Sequence, residues 1–353
     1  MTWNYLLIPP EVNDDDGAKD EIIYKLPQHW RCACHSLNLV AANDASKLAD
    51  AVKRIATQTF GKLQGLWNKQ NRSAVASEKI RRALGSLLIT PDETRWNSTY
   101  NSVPQINHLL ASQETEAKFD KLCDELEIKR LQPVQKTFLA EYVQVLQPVS
   151  CGLDVLQGEK EVGLAHLLPT LSIVKQQLND LLVDNKLTVC GSIERLLPDG
   201  IDRRFQLMFA SADAQLAAVV HPKFKMDWVT DELERSRLVA LLKRRMLSVV
   251  SAANDQPSNS TDSSVSVTST VSQQQDFFAV LATRRQQASA ALGSDVEDEL
   301  SKYLADKSTE VTTLNSYLLI RKRHIALSTG LPASAAVERL FSLGGRVFSP
   351  FAF

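Results

Sequence analysis

The chain lacks any apolar run approaching the roughly 18 residues of a membrane span, and the N-terminus from Met1 to Pro10 has no basic lead and no small-residue cleavage pattern. A soluble, intracellular protein is the expectation from those two absences. A charge excess is missing too. Forty basic side chains face 41 acidic ones, for a net charge of -1, so no global positive field draws the protein to a phosphate backbone. Nucleic-acid contacts would have to be local. Cysteine is sparse: Cys32, Cys34, Cys123, Cys151 and Cys190 are an odd, scattered set that describes no disulfide framework and fits a reducing compartment. No internal repeat of solenoid period is present.

What the chain does have is helical periodicity. Leu164, Leu167, Leu168, Leu171, Val174, Leu178, Leu181 and Leu182 recur at three- and four-residue intervals, with Pro169 marking a helix start or kink. Leu238, Leu241, Leu242, Met246 and Val249 repeat the pattern after the alternating charges of Asp231 to Arg237. A further helix is expected around Leu300, Tyr303 and Leu304, and another over Leu314 to Ile325 with Leu314, Tyr317, Leu318 and Ile325 on its buried side. Between these blocks, Ser251 to Gln275 is polar and rich in Ser and Thr, and cannot bury enough surface to offset its ordering entropy. It reads as a disordered linker separating the helical block from the C-terminal segment. The run Glu11 to Glu21, with Asp14, Asp15 and Asp16, reads as a solvated acidic loop. Tyr24 to Cys34 is expected to form a short strand that feeds a helix beginning near Leu37.

Three basic clusters, Lys79-Ile80-Arg81-Arg82, Lys243-Arg244-Arg245 and Arg321-Lys322-Arg323, each lie in a helical segment. Taken singly, each reads as the wet face of its helix. His108, His166 and His324 show no recognisable partner in the sequence, and His221-Pro222-Lys223-Phe224-Lys225 with Trp228 reads as a packed turn before a long helix.

Three segments carry candidate chemistry. The first is Leu331-Pro-Ala-Ser334-Ala-Ala-Val-Glu338-Arg339-Leu340-Phe341-Ser-Leu343-Gly344-Gly345, in which Ser334 caps a helix and the glycine pair ends it. Glu338 sits mid-helix behind small residues that let another element approach; its alternative is an ion pair with Arg339 or Arg346. The second is Arg31-Cys32-Ala33-Cys34-His35. The Cys32 and His35 spacing supplies two ligand types on one turn, but a structural zinc needs four, and packing and hydrogen bonding are the reading for both residues. The third is Thr94-Arg95-Trp96-Asn97-Ser98-Thr99-Tyr100, where Trp96 offers a stacking face and Arg95 a phosphate clamp. The alternative for Trp96 is a buried aromatic anchor, with a helix starting at Asn97 or Ser98.

In this order, from Arg31 to Pro350, these segments resemble the C-terminal part of an hAT-type (hobo/Activator/Tam3) DNA transposase. The resemblance implies a mainly α chain with a small α/β part, an incomplete ribonuclease-H-like core interrupted by a large all-helical insertion. It assigns residues 1–58 to an N-terminal acidic loop and a remnant of the core, 59–250 to the helical insertion, 251–275 to the linker, and 276–353 to C-terminal helices with the core glutamate and a truncated dimerisation region. It makes Glu338 the last of three acidic residues that hold two divalent metals, the other two falling upstream of the chain, and it places Cys32 and His35 at the close of the last core strand. It gives Trp96 and Arg95 to DNA contact, and Leu340, Phe341, Leu343 and Phe348 to self-association. The function it implies is a transposase-derived protein of the nucleus, catalytically incomplete, with DNA and a second copy of itself as partners and no cofactor. Two other readings stay open: a fragment of a working transposase, which would use Mg2+ or Mn2+ for phosphodiester cleavage and strand transfer, and a protein-interaction scaffold without DNA binding.

Overall fold

The structure, a computed structural model, describes residues 31–44, 50–91, 96–158, 162–184, 186–254 and 294–328. Contacts divide the chain into Met1–Arg31 and a unit from Cys32 to Phe353, and the second holds every element that follows. Among the described residues all regular structure is helical and no strand occurs. The chain is mainly α, as its periodicity implies.

The first part runs through α1 (Ala33–Leu39), a π-turn over Val40–Asp44, α2 (Asp50–Arg72), α3 (Ala74–Leu84), α4 (Trp96–Leu110), α5 (Gln113–Glu125) and α6 (Pro133–Leu156). The expected strand end at Cys34 is instead the first turn of a helix. Ser36 N–H donates to Cys32 O at 3.0 Å, and Ala33, Cys34, Ser36 and Leu37 are the buried positions, a one-sided helical spacing that a strand would split between two faces. Helix α2 passes without a break through residues 58 and 59, the expected boundary between the core remnant and the insertion.

Helix α6 organises this part. Phe138, Leu139, Tyr142, Val145, Leu146, Val149, Leu153 and Leu156 are buried along it at three- and four-residue steps, wide enough to receive α1, α2, α4 and α7. Phe60 of α2 meets Phe138 and Tyr142 edge-on, with centroids 5.9 and 5.2 Å apart. Helices pack closest where a glycine removes the side chain: a Cβ on Gly152 would lie 2.8 Å from Val174 Cγ2 and 3.5 Å from Leu37 Cδ2.

The leucine repeat becomes a 3-10 turn (Leu164–His166) and α7 (Leu167–Asp184), with Pro169 in the first turn, where a missing N–H costs nothing. Helix α8 (Gly191–Phe209) packs back on α7. The chain continues with α9 (Ala212–Val219), the turn around His221, α10 (Glu232–Asn254), α11 (294–305), a 3-10 segment (Val311–Ser316) and α12 (Leu318–Ser328).

A second core joins these last elements. Leu216, Val219, Leu238, Leu242 and Met246 pack with Val296, Leu300, Tyr303, Leu314 and Ile320. The C-terminal helices are therefore part of the same hydrophobic core as α9 and α10, not a separate block. Residues 251 to 254 continue α10, and 255 to 275 of the expected linker lie outside the described residues.

One predicted helix face is corrected. Leu318 and Ile325 are exposed, at 61% and 55%, and the buried residues are Leu314 and Ile320. The chain bends at Tyr317, with φ -128 and ψ 81, between a 3-10 and an α segment, so one helical period cannot be counted through the join.

Candidate functional site

Helix α6 holds two of the motif segments on successive turns. Ser150 Oγ donates to Asn97 Oδ1 at 2.9 Å, and Asn97 Nδ2 donates to Asp154 Oδ1 at 3.3 Å, which anchors the start of α4 directly after Trp96. Between these two positions on α6, Gly152 receives Leu37 of α1. The segment leading into the motif is clamped as well. Gln70 of α2 donates to Leu88 O and accepts from Leu88 N–H at 2.9 and 2.8 Å, and Gln105 of α4 accepts from Ile89 N–H at 2.7 Å. Side-chain amides here satisfy backbone groups that a strand partner would otherwise pair.

Helix α4 begins at Trp96 itself, one residue before the expected start. The Trp96 side chain, and all of Arg95, lie outside the described residues, as do Glu338, Leu340, Phe341, Leu343 and Phe348. His35 is exposed and Cys32 half-buried, and Cys34 and Leu37 beside them are buried on α1. Among the described residues no group of three or more His, Cys, Asp or Glu is arranged to hold a metal ion.

Three arrangements have no signature as groups in the sequence. In the first, the buried carboxylate of Glu141 on α6 caps α8. It accepts from Thr188 N–H and Oγ1–H at 2.8 and 2.7 Å, and from the N–H groups of Val189 and Cys190 at 2.8 and 2.7 Å. Burial by itself would raise this carboxyl, but the Thr188 hydroxyl and the three N–H groups stabilise the charged form and hold it below its ordinary value.

In the second, two basic clusters from distant parts of the chain meet at Arg323. Arg323 of α12 donates to the carbonyl of Arg245 in α10, and also to Ser248 Oγ at 3.3 Å. Arg244, Arg245, Arg321 and Lys322 around this contact are exposed. Lys243 is neutralised by Glu297 at 2.6 Å, whereas Arg244, Arg321 and Lys322 have no ion pair among the described residues. Burial, and then the charge of Arg245, lowers the Arg323 guanidinium, and its Nε is a buried donor without a partner among the described residues. The charge of Asp213 opposes this shift in part, and two guanidinium groups held this close leave the junction suited to an anion.

His166 and His324, which show no partner in the sequence, are brought together with His221 of the packed turn. His166 and His221 meet edge to face with centroids 5.2 Å apart, His221 meets His324 at 5.4 Å, and Phe224 packs on His166 and His221 at 4.9 and 5.0 Å. The three imidazoles line a cavity of about 710 Å³. Burial first, then the neighbouring imidazoles and Lys223, pushes His221 down to about 4, and burial lowers His324. At neutral pH both of these rings are uncharged.

No protein-family model matches the chain, and no curated protein matches it. Among the described residues no helix is long and apolar enough to cross a membrane.

Proposed function

We propose that this chain is a DNA-associated protein derived from an hAT-type transposase, with a remnant of a ribonuclease-H-like core around a helical insertion. It holds the phosphate backbone on the face where α10 and α12 meet. The observation that supports this reading is the Arg323 contact to Arg245, which brings together two basic clusters that are each ordinary alone. On a chain with a net charge of -1, such a junction is a local phosphate site and not a general polyanion attraction. Arg95 and Trp96 supply the contact to an unstacked base at the start of α4, and Asn97, fixed by Ser150 and Asp154, supports that position from α6. The C-terminal residues Leu340, Phe341, Leu343 and Phe348 bring two copies together, and the nucleus is the compartment this reading requires.

Binding of fluorescently labelled hairpin DNA across a salt series tests the proposal. Replacing Arg244, Arg321 and Lys322 together by Ala leaves the packed core untouched, and it is expected to weaken binding at least tenfold at 0.1 M salt. The slope of log K against log salt should fall by about 2 to 3, close to one for each phosphate no longer neutralised. Trp96→Ala should weaken binding to the unpaired loop more than binding to duplex. If the wild type binds hairpin DNA no better than the triple variant, the DNA-binding reading fails. A sedimentation series over concentration addresses self-association, and a monomer at every concentration would remove that part.

A further inference from the structure

The histidine cavity takes no part in the DNA-binding reading and stands apart from it. Its wall is assembled from three separate places: the 3-10 turn before α7 provides His166, the turn after α9 provides His221 and Lys223, and α12 provides His324. Two backbone contacts orient the imidazoles. Gly163 N–H points to His166 Nδ1 at 3.4 Å, and Lys223 N–H points to His221 Nδ1 at 3.3 Å. An Nδ1 that accepts must be unprotonated, so each neutral ring carries its proton on Nε2. Among the described residues no group of three or more His, Cys, Asp or Glu is arranged to hold a metal ion here. The imidazoles present donors instead. His221 Nε2 and the His324 nitrogens have no hydrogen-bond partner among the described residues.

The charges around the cavity agree with that polarity. Lys223 is exposed at its edge and its charge is felt at His221. Glu310, from the segment before α12, is the one carboxylate among the described lining residues. Ala217, Val311 and Leu327 add apolar surface to the lining. A volume of about 710 Å³ lies within the range of about 300 to 1,000 Å³ typical of small-molecule sites, and so leaves room for an organic body beside a small anion.

We propose that this cavity binds a phosphate monoester, its anionic group against Lys223 and the His221 and His324 imidazoles and its organic part along Ala217, Val311 and Leu327. Neutral imidazoles donate to the phosphate oxygens as they stand. An anion beside them also favours their protonated form, so binding takes up a proton at neutral pH. Glu310 opposes the anion from the rim.

Titration calorimetry on the full chain at pH 7, with adenosine monophosphate and inorganic phosphate as probes, tests this. The monophosphate is expected to bind, and to bind at least about tenfold more tightly than inorganic phosphate. Heats in two buffers of different ionisation enthalpy should reveal proton uptake. Lys223→Ala should weaken binding at least fivefold, Glu310→Gln should strengthen it severalfold, and His324→Gln should reduce the proton uptake. Lys223 and Glu310 are both exposed, so these two variants keep the fold and read the site alone. A single-stranded oligonucleotide with a 5′-phosphate, compared with its 5′-hydroxyl form, separates the sources: preference for the phosphorylated strand identifies a DNA end as the occupant, and indifference identifies a free organic phosphate. The proposal is overturned if the monophosphate gives no saturable heat at millimolar concentration, or if Lys223→Ala and Glu310→Gln both leave its affinity unchanged.

Discussion

His221 and His324 meet edge to face, 5.4 Å between centroids and 60° between planes, and so tie α12 to the turn that follows α9. Both are shifted the same way by burial. Two neutral imidazoles pack there as aromatic rings, and two imidazolium ions would not.

The burial of His221, and then its charged neighbours, make stability pH-dependent. His221 has a folded pKa of about 4 against an ordinary 6.5, so as pH falls through 6.5 the unfolded chain takes up a proton that the folded chain refuses. Stability is therefore complete above about pH 7 and declines toward pH 5, with a slope of up to about 1.4 kcal/mol per pH unit from this group. Urea midpoints at pH 7, 6 and 5 should fall in that order. His221→Gln should lower the midpoint at pH 7 and flatten its pH dependence; an unchanged slope would assign the effect to other groups.

Glu141 should matter more than its polarity suggests. Its four hydrogen bonds serve the turn that leads into α8, and removing the carboxylate leaves the buried Cys190 N–H without an acceptor, at a cost of about 1–3 kcal/mol, together with the half-buried Val189 N–H. Glu141→Ala is expected to lose about 2–4 kcal/mol in chemical denaturation, and Glu141→Gln less. Because its folded pKa is depressed, the contribution is present above about pH 4.3 and is lost as pH falls through the folded value. A Glu141→Ala midpoint equal to wild type would show that water replaces the cap.

The same substitution should have opposite signs at two helical glycines. Gly61 on α2 has open space where a Cβ would stand, so Gly61→Ala should gain about 0.5–1 kcal/mol through helix propensity. At Gly152 the added atom would lie 2.8 Å from Val174 Cγ2, and a β-branched side chain on a helix has little rotamer freedom to retreat. Gly152→Ala should therefore lose about 1–3 kcal/mol. Thermal denaturation of the two variants checks the pair together.

Thiol chemistry should separate the cysteines by burial. Burial pushes Cys123 and Cys190 up to about 12, while Cys151 is exposed. In native protein at pH 8, iodoacetamide should alkylate Cys151 at least about 100-fold faster than Cys123 or Cys190, since only the thiolate reacts. Mass mapping of the labelled peptides gives the order, and equal rates would mean that α5 and the start of α8 open on the labelling timescale.

The helices are legible because each is specified by its own residues. Leu167 to Leu178 and Leu238 to Met246 repeat at the helical period, and both runs are buried helix faces. Legibility ends where a local rule is carried past its range. Cys34 looks like the end of a strand because alternation over a few residues resembles the edge of a helix, and Leu318 and Ile325 are misplaced by a single period because the phase changes at Tyr317. The sites are less legible still. Glu141 reads as one more charge on a helix until the Thr188 to Cys190 turn folds onto it. His166, His221 and His324 carry no spacing that marks them as a group.

By itself, then, the sequence determined what depends on near neighbours: the helical class, the positions of most apolar stripes and the near balance of charge. The tertiary structure alone decided which stripes share a core, that α11 and α12 close over α9 and α10, that Arg323 stands on Arg245, and that three histidines line one cavity. The physical reason is range. Backbone hydrogen bonding and hydrophobic periodicity act over a few residues along the chain, whereas the energies of a buried carboxylate, a stacked imidazole or two like charges depend on what packs against them from elsewhere.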